Sequence, residues 1–378
     1  MTGPTARVGA APRGRSAEAQ LHRIGALCAL LCALGLSVSA SAKHPTIITF
    51  DPPGSVATFA YAISPAGAIT GQYFDASNVS HGFVRAPDGT FTTFDPPGSI
   101  YTLGFSINPA GAIAGLYVDS SIVFHGFLRS PDGAITTIDI PGAETQALDI
   151  NPGGAIAGQF HASSVFHGFL RARDGIITTF DAPGAGTSAG QGTFMSTVDG
   201  LSPERAISGF YVNTGSIFNG TQVYHGLVRA PDGTITEFDA PGAGIGAGQG
   251  TTVGGINPAG TTLGSYIDAS YVFHGYVRAR DGEITVFDVP GAGTGAGQGT
   301  TPANINPAGQ IAGSYVDSNG VNHGFARSKG GDITTFDVSG AGTGSGQGTI
   351  PFCNNPADAI TGYYVDPSNV FHGFLRTP

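Results

Sequence analysis

The chain has 378 residues, 61 of them Gly and 25 Pro, with no Trp, 10% aromatic residues and a formal net charge of −10. Gly and Pro at that level with no period would indicate disorder, but here they recur at fixed offsets and read as turns. The acidic balance and low charged fraction (11%) exclude the basic patches through which nucleic acid and anionic membrane surfaces are bound.

Residues 1–42 read as a secretory signal peptide. Arg7, Arg13, Arg15 and Arg23 face a single acid, Glu18. An apolar stretch from Ile24 to Leu36 follows, too short for a stable membrane anchor, and Ala40-Ser41-Ala42 supplies a small-residue cleavage pattern before Lys43. Cys28 and Cys32 leave with that segment. Cys353 is then the one remaining thiol, so no internal disulfide forms. What is left carries 12 basic and 25 acidic side chains, a net charge near −13. The expected product is a single domain over 43–378, secreted or periplasmic or on the cell surface. It has no membrane span after signal removal, is a monomer, and implies no cofactor.

From Thr46 onward the chain repeats. The step His-Gly-(aromatic or Leu)-x-Arg occurs seven times, with histidines His81, His125, His167, His225, His274, His323 and His372 spaced 42 to 58 residues apart. A period of this size decides the architecture before any single residue does. Each unit holds four short strand candidates. In the second unit, Leu103–Ile107 ends at the turn Asn108-Pro109-Ala110-Gly111, with Pro and Gly where a tight turn wants them. Ala112–Val118 follows, then a short Asp119-Ser-Ser turn, Val123–Arg129, the turn Pro131-Asp132-Gly133, and Ala134–Asp139. Four strands per unit match one propeller blade. Thr46-Ile-Ile-Thr-Phe50 is the last piece of a unit, and Val370 to Arg376 is a unit lacking that piece. Together they predict an all-β, seven-bladed β-propeller of four-stranded antiparallel blades. The N-terminal strand pairs into the last blade and removes the open sheet edge.

After the fourth strand of the later units the loops lengthen to forms such as Gly291-Ala-Gly-Thr-Gly-Ala-Gly-Gln-Gly299. This is no phosphate cradle, since no helix follows the glycines. It reads as a flexible connector.

The His-Gly-Phe-x-Arg step together with Asp-Gly-x-Ile-Thr-Thr-Phe-Asp resembles the bacterial extracellular repeats known as the HAF family, over about 46–376. His225-Gly226-Leu227, Gly331-Asp332 and Ser339 depart slightly from the pattern. The resemblance implies an extracellular location and brings no established activity and no catalytic residues.

The seven histidines are present in every unit, so they read as blade-building. Alternation puts His, Phe and Arg on one strand face and Gly on the other, with Gly allowing a close approach. The acids after the second strand, Asp75, Asp119, Asp268, Asp317 and Asp366, read as turn caps. They are weak candidates for a cation, which would need six or more oxygens, and no metal is implied. These turns and the loops after the fourth strand share one rim.

Function is expected where the repeat breaks. The third unit replaces the acid by His161. The fourth has Asn213 there, inserts Thr214–Tyr224, and carries Glu204-Arg205 where others read Asn-Pro-Ala-Gly. Candidate binding residues are therefore His161, Asn213, Asn219, Tyr224 and Glu204. Cys353 reads as a buried small hydrophobe, and no catalytic constellation is visible. The expected function is an exported binding module for an unknown extracellular or envelope protein or glycan. The rivals are a propeller-type extracellular lyase or hydrolase of a polysaccharide or small cyclic ester, which rests on fold analogy, and a purely structural surface protein. An exposed aromatic patch would favour binding, and a unique polar cluster at the central channel an enzyme.

Overall fold

The regular elements of the described residues are all strands, as the short period-two runs and their Gly/Pro punctuation require. The structure is a computed structural model that describes residues 45–196 and 199–378. The signal-peptide reading lies outside these residues. Residues 45–378 form one compact unit.

Pairing is antiparallel between consecutive strands within four-stranded groups. The first group runs Ser55–Ile63, Ile69–Asp75, Ser80–Arg85, Phe91–Phe94, and the second Ser99–Ile107, Ile113–Asp119, Phe124–Arg129, Ile135–Ile138. Five further groups start at Glu144, Gly192, Gln249, Gly299 and Gly348. The last has only three strands of its own after Gly348. Its fourth is Thr46–Phe50, which pairs antiparallel with Phe371–Thr377, Thr46 opposite Thr377 and Phe50 opposite Gly373. First strands of most neighbouring groups pack side by side, the first against both the second and the seventh. Their ends converge on one cavity.

The core lies between groups, and the His-Gly-Phe-x-Arg step builds it. Phe83, Phe127, Phe169, Phe325 and Phe374 are fully buried. Phe83 meets Phe50 of the preceding group edge-on at 6.4 Å, and Arg85 lies over the same ring at 5.0 Å. The arrangement recurs as Arg129 over Phe94, Arg229 over Phe180, Arg278 over Phe238, Arg327 over Phe287 and Arg376 over Phe336. The arginine thus staples its unit to the Phe of the Phe-Asp step before it, a contact worth roughly 0.5–2 kcal/mol. Gly82 faces the other way, and a Cβ there would sit 2.5 Å from the Phe94 ring of its own group. The glycine clears space for that ring rather than for a neighbouring sheet.

The long Gly-rich loops are pinned, contrary to the flexible connector expected. Gly246, Gly295 and Gly344 donate to the side-chain oxygens of Gln249, Gln298 and Gln347 at 2.8, 2.8 and 2.9 Å. The same glutamines donate to the carbonyls of Ala269, Ser318 and Pro367 in the turn of the group being entered. The glycine after each glutamine makes a parallel bridge back to a third strand, as Gly299 does to Phe273. Its φ is +116°, and any side chain there would collide with the Phe273 carbonyl. Such bridges join the third to seventh groups into one continuous sheet.

Candidate functional site

The repeated His is a surface strut. Its ring stacks on the second-strand aromatic, as His125 does on Tyr117 at 4.8 Å and His274 on Tyr266 at 4.8 Å. Its Nδ1 meets the carboxylate of the Phe-Asp step: Asp95 for His81 (2.7 Å), Asp139 for His125 (3.0 Å), Asp181 for His167 (3.0 Å), Asp239 for His225 (3.0 Å). Asp288 serves His274 (3.0 Å), Asp337 serves His323 (3.0 Å), and Asp51 serves His372 across the group closed by the first strand (2.7 Å). Burial opposes the charged form of His81, but Asp95 and Asp75 outweigh it and raise its pKa.

The turn acids are occupied by their own turns. Asp75 Oδ1 accepts from the amides of Ser77 (2.8 Å) and Val79 (2.9 Å). Asp119, Asp268, Asp317 and Asp366 accept from the corresponding two amides. The amide four residues on is the main cause of the lowered pKa of Asp75, Asp119 and Asp366. For Asp268 and Asp317 burial acts the other way, and the same amides still prevail.

The residues at the repeat break fall in three places. His161 does not stand where the acid stands. It pairs with Phe166 across the hairpin, as Phe74 pairs with Ser80, so Ala162 holds the position of Asp75. His161 Nε2 lies 3.0 Å from Glu144 Oε2. Its ring begins a file of aromatic contacts through Phe166, Phe194 and Phe210 to Tyr224, with centroid spacings of 5.1, 4.5, 5.0 and 5.5 Å. Asn213 and Asn219 stay outside that file and bond locally, to Thr214 and Thr221. Glu204 lies in a turn between the first and second strands, at the opposite end of the group. There it lines a cavity of about 230 Å³ with Pro258, Arg278 and Arg280.

The axis carries chemistry that the sequence reading missed. A β-bulge near the end of most first strands, at Tyr61, Phe105, Leu148, Gly254, Ala303 and Phe352, breaks strict alternation. The residue after each bulge is Ala62, Ser106, Asp149, Gly255, Asn304 and Cys353 in turn. Four of these six are polar or carry a thiol, and they meet. Ser106 donates to Asp149 Oδ1 at 2.5 Å, and the Leu201 amide donates to Oδ2 at 2.8 Å. Asp199, in the irregular stretch of the fourth group (φ +47°), accepts from Asn304 Nδ2 and lies 3.7 Å from Cys353 Sγ. Burial is the main cause that raises both carboxyls, with Asp199 adding a second push to Asp149, whose pKa reaches about 7. No Lys, Arg or His among the described residues offsets either charge. Burial also drives the Cys353 thiol well up, so it is no nucleophile.

Beyond this cluster, at the Asn-Pro turns, is a cavity of about 120 Å³ rimmed by a proline from every group and by Asn108, Asn151, Asn257 and Asn355, and walled by the residue two before each proline. That residue is apolar in six groups, as in Ile63, Leu201 and Ile305, and is Asn354 in the seventh. Asp199, though surrounded by protein, keeps surface on this cavity.

Toward the other end the axis opens into an aromatic arc. Phe59 lies 4.8 Å from Phe371 and 5.1 Å from Tyr363, and Tyr61 lies 5.0 Å from Phe352 and 6.0 Å from Phe105. All six rings are half-buried, each keeping some surface. The fifth and sixth groups place Thr252 and Thr301 at the strand position that Phe59 holds in the first, opposite Ser265 and Ser314.

No known family model matches the sequence, and no curated protein does. Solved structures do match in fold. A streptogramin B lyase aligns with a TM-score of 0.55 and 12% identity over 88% of this chain and 98% of its own. A virginiamycin B lyase from Staphylococcus aureus aligns with a TM-score of 0.55 and 13% identity over 89% of this chain and 100% of its own. At that identity the likeness is one of architecture, and the chain has an all-β, propeller-type fold.

Proposed function

We propose that this chain is an exported, seven-bladed β-propeller of the HAF repeat class that serves as a binding module, with its ligand seated on the aromatic arc at the mouth of the axis. The observation that carries this reading is the arc itself: six half-buried rings converge from three groups, while serines and threonines occupy the matching places in two others. Half-buried aromatics are costly to leave in water and give much contact area at little entropy. A saccharide ring fits both halves, its C–H face on Phe59, Tyr61 and Tyr363 and its hydroxyls toward Thr252, Thr301 and Ser314. An envelope glycan is therefore the favoured component.

The test is a thermal-shift and calorimetric screen of the secreted protein against cell-wall and plant oligosaccharides. A ligand at one hundred times its Kd stabilises by about 2.7 kcal/mol. Phe59→Ala and Tyr363→Ala should each abolish the shift. A shift that survives both substitutions, or none with any saccharide, defeats the reading. Export is checked by N-terminal sequencing of the secreted chain, which should begin at Lys43.

The rival reading, an extracellular lyase or hydrolase, draws on the Asp149 and Asp199 carboxyls. Asp149 is 2% exposed and its two oxygens take three donors, Ser106, Ile150 and Leu201. It is sealed from any substrate, and this favours binding over catalysis.

A further inference from the structure

The cleft between the fourth and fifth groups lies away from the aromatic arc, at the end of the turns between first and second strands, and is independent of the binding module above. Two departures from the repeat meet in it. The turn position that is Ala66, Ala110, Ala259, Ala308 and Ala357 elsewhere is Glu204 in the fourth group. The position that is Pro87, Pro131 and Pro231 in three groups is Arg280 in the fifth. Arg173 and Lys329 stand there in the third and sixth groups, but the turns of the groups before them offer Ala110 and Ala259. An acid and a base therefore share such a cleft once.

Glu204 and Arg280 line a cavity of about 230 Å³ together with Arg278. Among the described residues, Glu204 and Arg280 form no ion pair, with each other or with any other group. Arg278 is 9% exposed, and its Nε has no partner. The other polar side chains at the cavity are Thr236 and Ser202, whose hydroxyl accepts from the Ala206 amide of its own turn. Val228, Ile256 and Pro258 give the cavity an apolar wall. A simple anion here would face Glu204, and a simple cation would face two guanidiniums. A ligand carrying both charges and a hydrocarbon part satisfies every one of these groups.

We propose that the cleft between the fourth and fifth groups binds a free α-amino acid with an apolar side chain, its carboxylate on Arg278 and Arg280, its ammonium on Glu204 and its side chain on the wall of Val228 and Ile256. Both polar contacts are charge-assisted hydrogen bonds, the strong class. The size agrees: a cavity of roughly 150 Å³ holds benzene, with six heavy atoms, so about 230 Å³ suits the nine of leucine.

Titration calorimetry of the full-length protein with L-leucine tests the assignment, with 4-methylpentanoate, which lacks the ammonium, and 3-methylbutylammonium, which lacks the carboxylate, as parallel arms. Leucine should bind, and each analogue should bind roughly tenfold or more weakly. Arg280→Pro and Glu204→Ala install residues that other groups use, so both should keep the melting temperature. Arg280→Pro should weaken leucine roughly tenfold or more, and Glu204→Ala should remove the advantage of leucine over 4-methylpentanoate. No heat with leucine, equal affinity for either analogue, or undiminished leucine affinity in either variant each overturns the proposal. Heat with 4-methylpentanoate alone overturns it in favour of a plain anion site.

Discussion

Asp149→Asn should flatten the pH dependence of stability. In the folded protein burial and the neighbouring Asp199 lift the Asp149 carboxyl from its ordinary 3.8 to about 7. The folded state therefore binds a proton that the unfolded state has released over this interval, and stability falls as pH rises. The contribution is fully present below about 4 and lost once pH passes about 7. Three pH units at 1.36 kcal/mol each give about 4 kcal/mol, an order-of-magnitude figure. Against a total of about 5–15 kcal/mol for a folded domain, that is large. Asn carries no titrating proton and keeps an oxygen for the Leu201 amide. The assay is guanidinium unfolding at pH 4.5, 6 and 8, wild type beside variant. The wild type should lose several kcal/mol across that range and Asp149→Asn clearly less. Equal slopes, or a wild type more stable at pH 8 than at 4.5, would refute the reasoning.

Phe127→Ala should cost about 3–5 kcal/mol in chemical unfolding, because the ring is fully buried between two groups with little room to collapse. Gly82→Ala should cost about 1–3 kcal/mol by forcing the Phe94 ring aside, and Gly82→Ala with Phe94→Leu should recover part of it. A double-mutant cycle on Arg278 and Phe238 should return a coupling of roughly 0.5–2 kcal/mol, and zero coupling would show that the stacked pair stabilises nothing. Deleting residues 45–51 should leave Phe371–Thr377 as a bare edge, giving a protein that aggregates on size-exclusion chromatography.

Strands and turns were legible because each is short, bounded by Pro, Gly or Asn, and repeated. The pairing of Thr46–Phe50 with the end of the chain followed from counting which piece of the unit was missing. The position of His161 was not legible from the neighbourhood of the acid alone. Counting from Gly158, the counterpart of Gly71, puts it one residue earlier, and one residue moves a side chain to the other face. The axial cluster escaped for a related reason. A bulge inserts a residue just before Asp149, Asn304 and Cys353, so alternation assigns them wrongly. The signal was present nonetheless: stacking the units on their Ile-Asn-Pro step and reading the column just before it gives Ser106, Asp149, Asn304 and Cys353 side by side. The arginine staple was invisible because its Phe belongs to the previous unit.

The pairing of Thr46 with Thr377 also sets an order of events. The two partners lie 331 positions apart in the chain. On a ribosome adding about 5–20 residues per second, Thr46–Phe50 exists for tens of seconds before Phe371–Thr377 has been made. Through that interval Thr-Ile-Ile-Thr-Phe is an unpaired strand of high β-propensity, while earlier groups already have their own four strands. The last step of folding is thus the capture of the oldest strand by the youngest. A long-range closure of this kind is slow, and the waiting strand is where a holding chaperone would act and where strand exchange between two copies would begin.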